Sequence, residues 1–491
     1  MPFPFTLPTT SSVLLSDFFD SVTHPSLPLT ATTKRSVLKD VLKKHKRLSP
    51  PARETNLPAV QNAVQGYLPY LLALNAGSGY RDVGPEKLDV EIKRVLEVEW
   101  RSILSTSLPA RETPRAKLTG VHHEIAFTLS TLAYTSSLLA RSQLRLLYGT
   151  DVLSSDQRTS IIATAMKHLM EAHGIHTYLL SLPSSSTSAS LDSAPIDIHS
   201  STISALASLA LAEATIIVVA KDDPYTAAVS EVRNAENKDW MFKAPSIPKV
   251  RAHLYARFCL AAAEHANTAS SLLSGTKIDE DLLKYATHLR STARGKAARF
   301  LAIDAELASK TGEALAWLKG ARKELGLPIE AASEDGNNRR RGLKGLKQTW
   351  QEKREDRKIE SAGKEWGMDA GRLEEARVVE MLESKWDREN NTINIQIVPP
   401  WEPLLANMPS GREYHSQTAW RPMEMDQDVL VRMRAPPEPE ERAFRGVEAD
   451  SGDEEEEQGA KGENSNKSAA IGAFPGTGGE YSRSGTSTSY Y

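Results

Sequence analysis

The sequence predicts a mainly α fold: a helical solenoid of tetratricopeptide type, with at most a small N-terminal β element and a disordered acidic and Gly/Ser-rich C-terminal tail. Three observations predict it. From residue 31 to about 330, one helical segment follows another. In "LYARFCLAAAEHANTASSLLS" and similar segments, alanines accompany larger residues at close-contact spacing, as in stacked helix pairs. Alternating Val, Ile and Thr bounded by turns, which indicate strands, are scarce.

The N-terminal part is predicted to begin with an extended segment, which is followed by helices. Residues 1–30 are rich in Pro, Thr and Ser, which indicates an extended segment along the body. "TKRSVLKDVLKKHKRL" and "NLPAVQNAVQGYLPYLLAL" predict the first two helices, and "KLDVEIKRVLEVEWRSILS" mixes alternation with helix formers, so a short strand is expected there. Leucines recur every seven residues after Ile125 and predict a long amphipathic helix. Further helices are predicted at 121–148, 156–181, 200–221, 224–236, 246–274 and 277–325, with a polar loop at 181–197.

The most apolar stretch is "ISALASLALAEATIIVVA", residues 203–220. Its length is near the lower limit for a membrane-spanning helix. However, Glu213 lies in the middle. "KDDPY" follows the stretch, but the other side has no aromatic or basic anchor. We therefore expect a helix buried on several sides within a bundle.

Beyond residue 330 the helical pattern is interrupted. Residues 331–345 predict a flexible loop, and the basic run 339–358 predicts either a solvated helix or a patch for anionic lipid. "GRLEEARVVEMLESKWDREN" predicts a last long helix, and 392–398 is non-helical and strand-prone. We expect residues 1–435 to form one domain. Residues 436–491 have too little apolar content to fold, so a disordered tail is predicted there.

Composition and charge exclude several classes of function. The net charge is −3, from 60 basic and 63 acidic residues, which argues against nucleic-acid binding. Cys259 is the single cysteine, so the chain has no intramolecular disulfide, and its Ala-rich surroundings predict a buried, inert thiol. The N-terminus "MPFPFTLPTTSS" lacks the basic start and apolar run of a secretory signal.

Motifs for catalysis or metal binding are incomplete. "VHHEIAF" begins like the His-Glu-x-x-His zinc-protease motif, but Phe127 occupies the second ligand position. His173 and His176 are only two candidate ligands, which do not make a zinc site. Asp223 precedes Pro224 and predicts the N-cap of the next helix. Glycine-rich phosphate loops and nucleophile elbows are missing from the sequence. We therefore expect that the protein is not an enzyme and that it binds neither a cofactor nor a metal.

Several segments together resemble the Bro domain family. They are "EWRSILS", "EIAFTLSTLAYTSSLLARSQ", "KHLMEAHGIHTYL", "LASLALAEATIIVVAKDDPY" and "NNTINIQIVPP". The resemblance spans about 1–430 and implies a curved, tetratricopeptide-like solenoid with a small accessory sheet. The opening "MPFPFTLPTTSS", the "KDDPY" turn and "MPSGRE" are more narrowly similar to a fungal branch of the family that acts in alkaline-pH signalling.

The resemblance implies an adaptor. Bro domains bind the C-terminal amphipathic helix of the ESCRT-III filament subunit. The fungal branch is implied to link that filament to a calpain-like protease, which processes a zinc-finger transcription factor when ambient pH rises, and to an arrestin/receptor complex. The implied localisation is cytoplasmic, with recruitment to cortical plasma-membrane or endosomal sites. The alternative is a membrane-surface adaptor in endosomal trafficking, with peripheral association through 339–358.

The family groove matches the helices at 166–181 and 202–219. A partner helix inserts apolar anchors spaced i, i+3, i+4 and i+7 into such a groove. By position, the predicted contacts are the rim residue Lys167 and the apolar lining residues Leu179, Ile203, Leu206 and Leu209. The opposing interpretation is that these apolar residues are core, because periodicity does not separate an exposed stripe from a buried one.

Overall fold

In the computed structural model, residues Met1–Ala435 form one compact unit. The structure describes residues 1–79, 81, 83–84, 87–105, 113–148, 154–182, 194–225, 249–328, 366–416 and 419–436. The predicted loop 331–345, the basic run 339–358, the tail after 436 and most of the predicted helix 224–236 and loop 181–197 lie outside these residues.

The main helices pack mostly in sequence order. α1 with α2, α3 with α4, and then each helix from α4 to α8 with the next form neighbouring pairs. This order is that of a solenoid, in which each helix buries its apolar face against its neighbours. The nine long helices among the described residues are α1 Leu27–Arg47, α2 Pro50–Ser78, α3 Val121–Arg145, α4 Ser155–Ser181, α5 Ser200–Val218, α6 Lys249–Leu273, α7 Glu280–Leu307, α8 Thr311–Glu324 and α9 Arg372–Glu389. Two short helices follow, α10 Glu402–Ala406 and α11 Gln427–Met433.

The β structure among the described residues is small and N-terminal. β1 (Phe19–Asp20) pairs antiparallel with β2 (Glu91–Ile92), and β3 (Glu97–Arg101) pairs antiparallel with β4 (Arg115–Thr119). The predicted short strand is therefore confirmed at β3. Its alternate residues Val98 and Trp100 point into the core, as the period of a strand requires. The N-terminal segment pairs along its outer edge, since Ser11 donates its backbone N–H to Glu99.

The single helix predicted at 277–325 is wrong, because the structure divides it into α7 and α8. Ser309 adopts a left-handed φ of 61°, and the backbone N–H of Lys310 donates to the carbonyl oxygen of Ala305 at 3.0 Å. This is the bond of a Schellman C-cap, which usually has glycine in the left-handed position. Serine occupies that position here, so the sequence shows neither Gly nor Pro at the break.

The strand-prone segment 392–398 does not form a strand. The last turn of α9 continues into a π-helical turn at Asn390–Asn394, and Ile395 takes a left-handed φ of 48°. Asn390 and Gln396 stabilise the turn by exchanging hydrogen bonds of 2.9 and 3.0 Å. Local side-chain hydrogen bonds thus override the strand propensity of the isoleucines.

The glutamate of "VHHEIAF" has a structural role. Glu124 is fully buried, and its carboxylate accepts hydrogen bonds from Arg35 Nε at 2.8 Å, Tyr67 at 3.1 Å and Trp100 Nε1 at 2.6 Å. These partners join α1, α2, α3 and β3. Across the described ranges, no cluster of three or more His, Cys, Asp or Glu side chains is arranged to hold a metal ion.

A second buried ion network joins the end of the α5 region to α7 and α9. Arg299 donates to Asp223 and Glu375, each at 2.5 Å, and Lys296 lies 2.8 Å from Glu375. Asp223 also accepts the backbone N–H of Tyr225, as predicted for an N-cap. Cys259 is fully buried, as predicted, and burial raises the pKa of its thiol to about 12, so it is inert as a nucleophile.

Candidate partner-binding cleft

α5 is a core helix. Ser200–Lys221 is long and apolar enough to cross a membrane, but 78% of its apolar window is buried inside the protein, as expected for a bundle helix. Its mid-span Glu213 accepts hydrogen bonds from Phe3 N at 2.9 Å and Tyr285 at 2.7 Å. Burial raises the pKa of Glu213 to about 7. The apolar length of this segment is explained by packing.

The predicted groove residues differ in their exposure to solvent. Ile203, Leu206 and Leu209 are 5%, 2% and 1% exposed, and Leu179 on α4 is also buried, whereas Lys167 is exposed. The burial of the three α5 residues favours the opposing interpretation, in which they are core. They are buried because α4 and α6 pack on either side of α5. Whether any of the five residues contacts a partner stays a prediction.

An irregular C-terminal segment (408–416 and 419–425) lies against α4 and α6. Arg412 donates its backbone N–H to the carbonyl oxygen of Arg257 at 3.0 Å, and Arg257 Nε donates to the carbonyl of Ser410 at 3.0 Å. Gly411 is needed at the closest approach, because a Cβ there would lie 2.7 Å from the backbone nitrogen of Ala261. One backbone–backbone and one side-chain–backbone hydrogen bond therefore hold the segment against α6.

Aromatic and polar contacts complete this attachment to α6. The rings of Phe258 and Tyr414 meet edge to face with centroids 5.3 Å apart. His265 Nε2 lies 3.0 Å from a carboxylate oxygen of Glu413. The segment is therefore held at several points along one side of α6.

On α4, the segment contacts one outward stripe. The α4 stripe consists of Lys167, Met170, Gly174 and Tyr178, which lie three or four residues apart and so share one side of the helix. Trp420 packs over it: a Cβ on Gly174 would lie 2.7 Å from Trp420 Cβ, and the Tyr178 and Trp420 rings are 5.3 Å apart. Burial raises the pKa of Tyr178.

Between the α4 stripe and the C-terminal segment lies an open cleft of about 680 Å³. Its lining combines a flexible thioether, aromatic rings and a guanidinium, the side chains enriched at protein interfaces. The lining residues are Met170, Tyr414, His415, Ser416, Ala419, Trp420 and Arg421. Of the predicted residues, Lys167 lies three residues before Met170 on the same stripe, but it is not one of the lining residues.

His415 gives the cleft a polar group. Burial lowers the pKa of this imidazole, and Nε2 is buried with no hydrogen-bond partner among the described residues. An unpaired buried nitrogen is unfavourable. By contrast, His173 is already paired, since its Nδ1 lies 2.9 Å from the carbonyl oxygen of Ala207. Burial lowers the pKa of His176 to about 3, so this imidazole is neutral.

The C-terminal wall of this cleft was not predicted from the sequence. A glycine inside a helix at the spacing Met170–Gly174–Tyr178 usually marks a close packing contact, and it was the available signal. Its partner Trp420 is almost 250 residues away along the chain, and nothing local in the sequence joins the two.

Comparisons with known proteins agree with this fold. The BRO1-like domain family matches residues 85–405. The pH-response regulator protein palC of Emericella nidulans is 43% identical over 508 aligned residues, covering 97% of this chain and 99% of that protein.

Two solved structures of ALIX show 14% sequence identity to the chain. One, in complex with the SIVmac239 PYKEVTEDL late domain, has a TM-score of 0.51 and covers 92% of this chain and 54% of that chain. The other, the complex of the ALIX BRO1 domain with CHMP4C, has a TM-score of 0.49 and covers 88% of this chain and 97% of that chain. The first likeness supports the fold, and the full-length sequence match supports the family. The chain belongs to the BRO1-like domain family and is a homologue of the palC regulator.

Proposed function

We propose that this protein is a non-enzymatic scaffold in fungal ambient-alkaline-pH signalling. It binds the C-terminal helix of the ESCRT-III filament subunit and promotes processing of the transcription factor PacC by a calpain-like protease. One observation carries the proposal: the 43% identity to a pH-response regulator extends over 97% of this chain. Contacts with an arrestin/receptor complex and recruitment from the cytoplasm to cortical or endosomal sites belong to the same proposal.

The cleft beside the α4 stripe is the docking site in this proposal. An amphipathic helix needs an apolar recess for its anchors and polar groups at the rim. Met170 and Trp420 offer the recess, and Lys167, Arg421 and His415 offer the polar rim. The α5 residues support the cleft from beneath, because α4, which carries the stripe, packs against α5.

The test is a titration of the full chain into a labelled ESCRT-III C-terminal helix, read by fluorescence anisotropy. Met170→Asp places a charge in the cleft, and we expect a loss of affinity of at least about tenfold. Val95→Asp is the control, because Val95 is 65% exposed and lies outside α4, α6 and the C-terminal segment. Native melting with equal affinity in both variants would reject the cleft, and no binding by the wild-type chain would reject the ESCRT-III partner.

A membrane-surface adaptor that uses the basic run 339–358 is the alternative function. That run lies outside the described residues, so the alternative rests on its sequence alone. Vesicle sedimentation without ESCRT-III tests the alternative when the wild-type chain is compared with a variant whose Lys and Arg residues in 339–358 are changed to Gln, because the adaptor alternative requires salt-sensitive lipid binding that depends on this run.

A further inference from the structure

Helix α1 concentrates positive charge on a chain that is otherwise nearly balanced. Residues 34–47 contain seven Lys and Arg and one acidic residue, Asp40, while the whole chain has 60 basic and 63 acidic residues. Such a local excess creates a positive potential at the surface, whatever the net charge of the chain.

Only part of this charge has a role inside the fold. Arg35 is buried and paired with Glu124 at 2.8 Å. His45 is also buried, and burial lowers the pKa of its imidazole to about 4, so it is neutral. Lys39 lies 3.4 Å from Asp40, the one acidic group of the stretch. Lys43, Lys44 and Arg47 are exposed on α1. Lys34 is also exposed, with its Nζ 5.8 Å from the centroid of the Tyr70 ring.

The adjoining start of α2 does not neutralise them. Arg53 adds a further cation, and its Nη2 donates to the carbonyl oxygen of Lys46 at 2.8 Å. The neighbouring carboxylate, Glu54, is engaged with Arg145, whose Nε lies 2.9 Å away. The end of α1 and the start of α2 therefore form one positive surface.

The helix dipole explains only some of these cations. Lys44, Lys46 and Arg47 lie in the last turn, where positive charge stabilises the exposed carbonyl groups. That effect falls off within one turn and involves about half a unit charge. Lys34 lies beyond its range, and four cations from Lys43 to Arg47 exceed what it requires.

Exposed aliphatic side chains lie on the same outward side. Leu29 and Val37 are two helical turns apart and are 61% and 49% exposed. Leu14 is 57% exposed, and its neighbour Leu15 is bonded to α1 through Thr32 at 2.9 Å. A helix of 21 residues is about 31 Å long, so cations and aliphatic groups form an extended band.

We propose that the α1 face (Leu29, Val37, Lys43, Lys44 and Arg47) is a docking surface for an anionic membrane. Lysine and arginine at the lipid headgroups with aliphatic side chains inserted beside them are the composition that binds such membranes. An acidic polypeptide would need the charge but not the exposed aliphatic groups. The proposal is independent of the proposed ESCRT-III site, which lies on α4 and the C-terminal segment.

The test uses the full chain and sedimentation with phosphatidylcholine vesicles, with and without phosphatidylserine. We expect binding only to the anionic vesicles, weakened by salt. The charge reversal Lys43→Glu/Lys44→Glu/Arg47→Glu should reduce partitioning by at least about tenfold. The control Arg290→Glu/Lys323→Glu/Arg388→Glu changes net charge equally at exposed positions on α7, α8 and α9, and should retain most of the binding.

The milder variant Lys43→Gln/Lys44→Gln/Arg47→Gln keeps the test valid if the reversal impairs folding, and it should show a smaller loss. Equal losses in the α1 and control variants would overturn the proposal, because they would indicate a response to net charge alone. Failure of the wild-type chain to bind anionic vesicles would also overturn it. Binding to labelled polyglutamate without binding to vesicles would assign the surface to an acidic polypeptide instead.

Discussion

Helix α5 and the α4 stripe are neighbours with opposite character. α5 is apolar around most of its circumference and is buried between α4 and α6. The α4 stripe mixes a lysine, a methionine, a glycine and a tyrosine, and it borders an open cleft. The difference shows that the most apolar surface of this protein is core, whereas the surface suited to a partner has mixed composition.

The largest expected effect concerns α5. Leu209→Asp places a carboxylate at a position that is 1% exposed, and we expect the free energy of unfolding to fall by about 4 kcal/mol or more, with a large drop in melting temperature. Circular-dichroism melting measures it. The matched substitution Met423→Asp at an exposed position should leave the melt unchanged. An unchanged melting temperature for Leu209→Asp would contradict the assignment of α5 as a core helix.

The next effect is a pH dependence of α5. Burial raises the pKa of Glu213 from 4.5 to about 7, so the native state holds its proton more tightly than the unfolded state. This group therefore destabilises the fold progressively as pH rises from 4.5 to 7, by up to about 3 kcal/mol. Urea unfolding across this range should show a steeper loss for the wild-type chain than for Glu213→Gln. If the stability of the two proteins changed in parallel with pH, the raised pKa of Glu213 would be contradicted.

The smallest effect on stability concerns the α4 stripe. Gly174→Ala places a methyl group 2.7 Å from Trp420 Cβ, which displaces the C-terminal segment, but alanine also favours the helix by about 1 kcal/mol. We expect a net change in unfolding free energy below about 1 kcal/mol, a shift in Trp420 fluorescence and weaker ESCRT-III binding.

Gly66→Ala is the control for this change. Gly66 lies inside α2, and a Cβ there meets no atom within 4 Å. The variant should gain stability and keep its affinity for the ESCRT-III helix. Unchanged affinity in Gly174→Ala would separate the packing of Trp420 from partner binding.

The helices were predictable because local periodicity determines them. α3, α4 and α5 lie close to their predicted bounds, and the capping box of Ser154 and Gln157 marks the start of α4. The break at Ser309 was not predictable, because a left-handed serine stabilised by backbone hydrogen bonds leaves no sequence signal. β4 was missed because a short edge strand depends on its partner β3.

The cleft was only half predictable. Lys167 was chosen by position; it is exposed on the stripe, and whether it contacts a partner stays a prediction. The α5 leucines were chosen because they are apolar, which is the property that buries them. Tyr414 meets α6 and Trp420 meets α4 through contacts between residues far apart in sequence, and helical periodicity carries no information about such contacts.

The central claim is that a partner helix binds between the α4 stripe and the C-terminal segment. Hydrogen–deuterium exchange of the full chain, with and without saturating ESCRT-III C-terminal helix, tests it most directly. We predict slower exchange in peptides covering 166–178 and 410–421, and no change in α1. Saturated binding with unchanged exchange in both of these regions, and protection elsewhere on the chain, would contradict the claim.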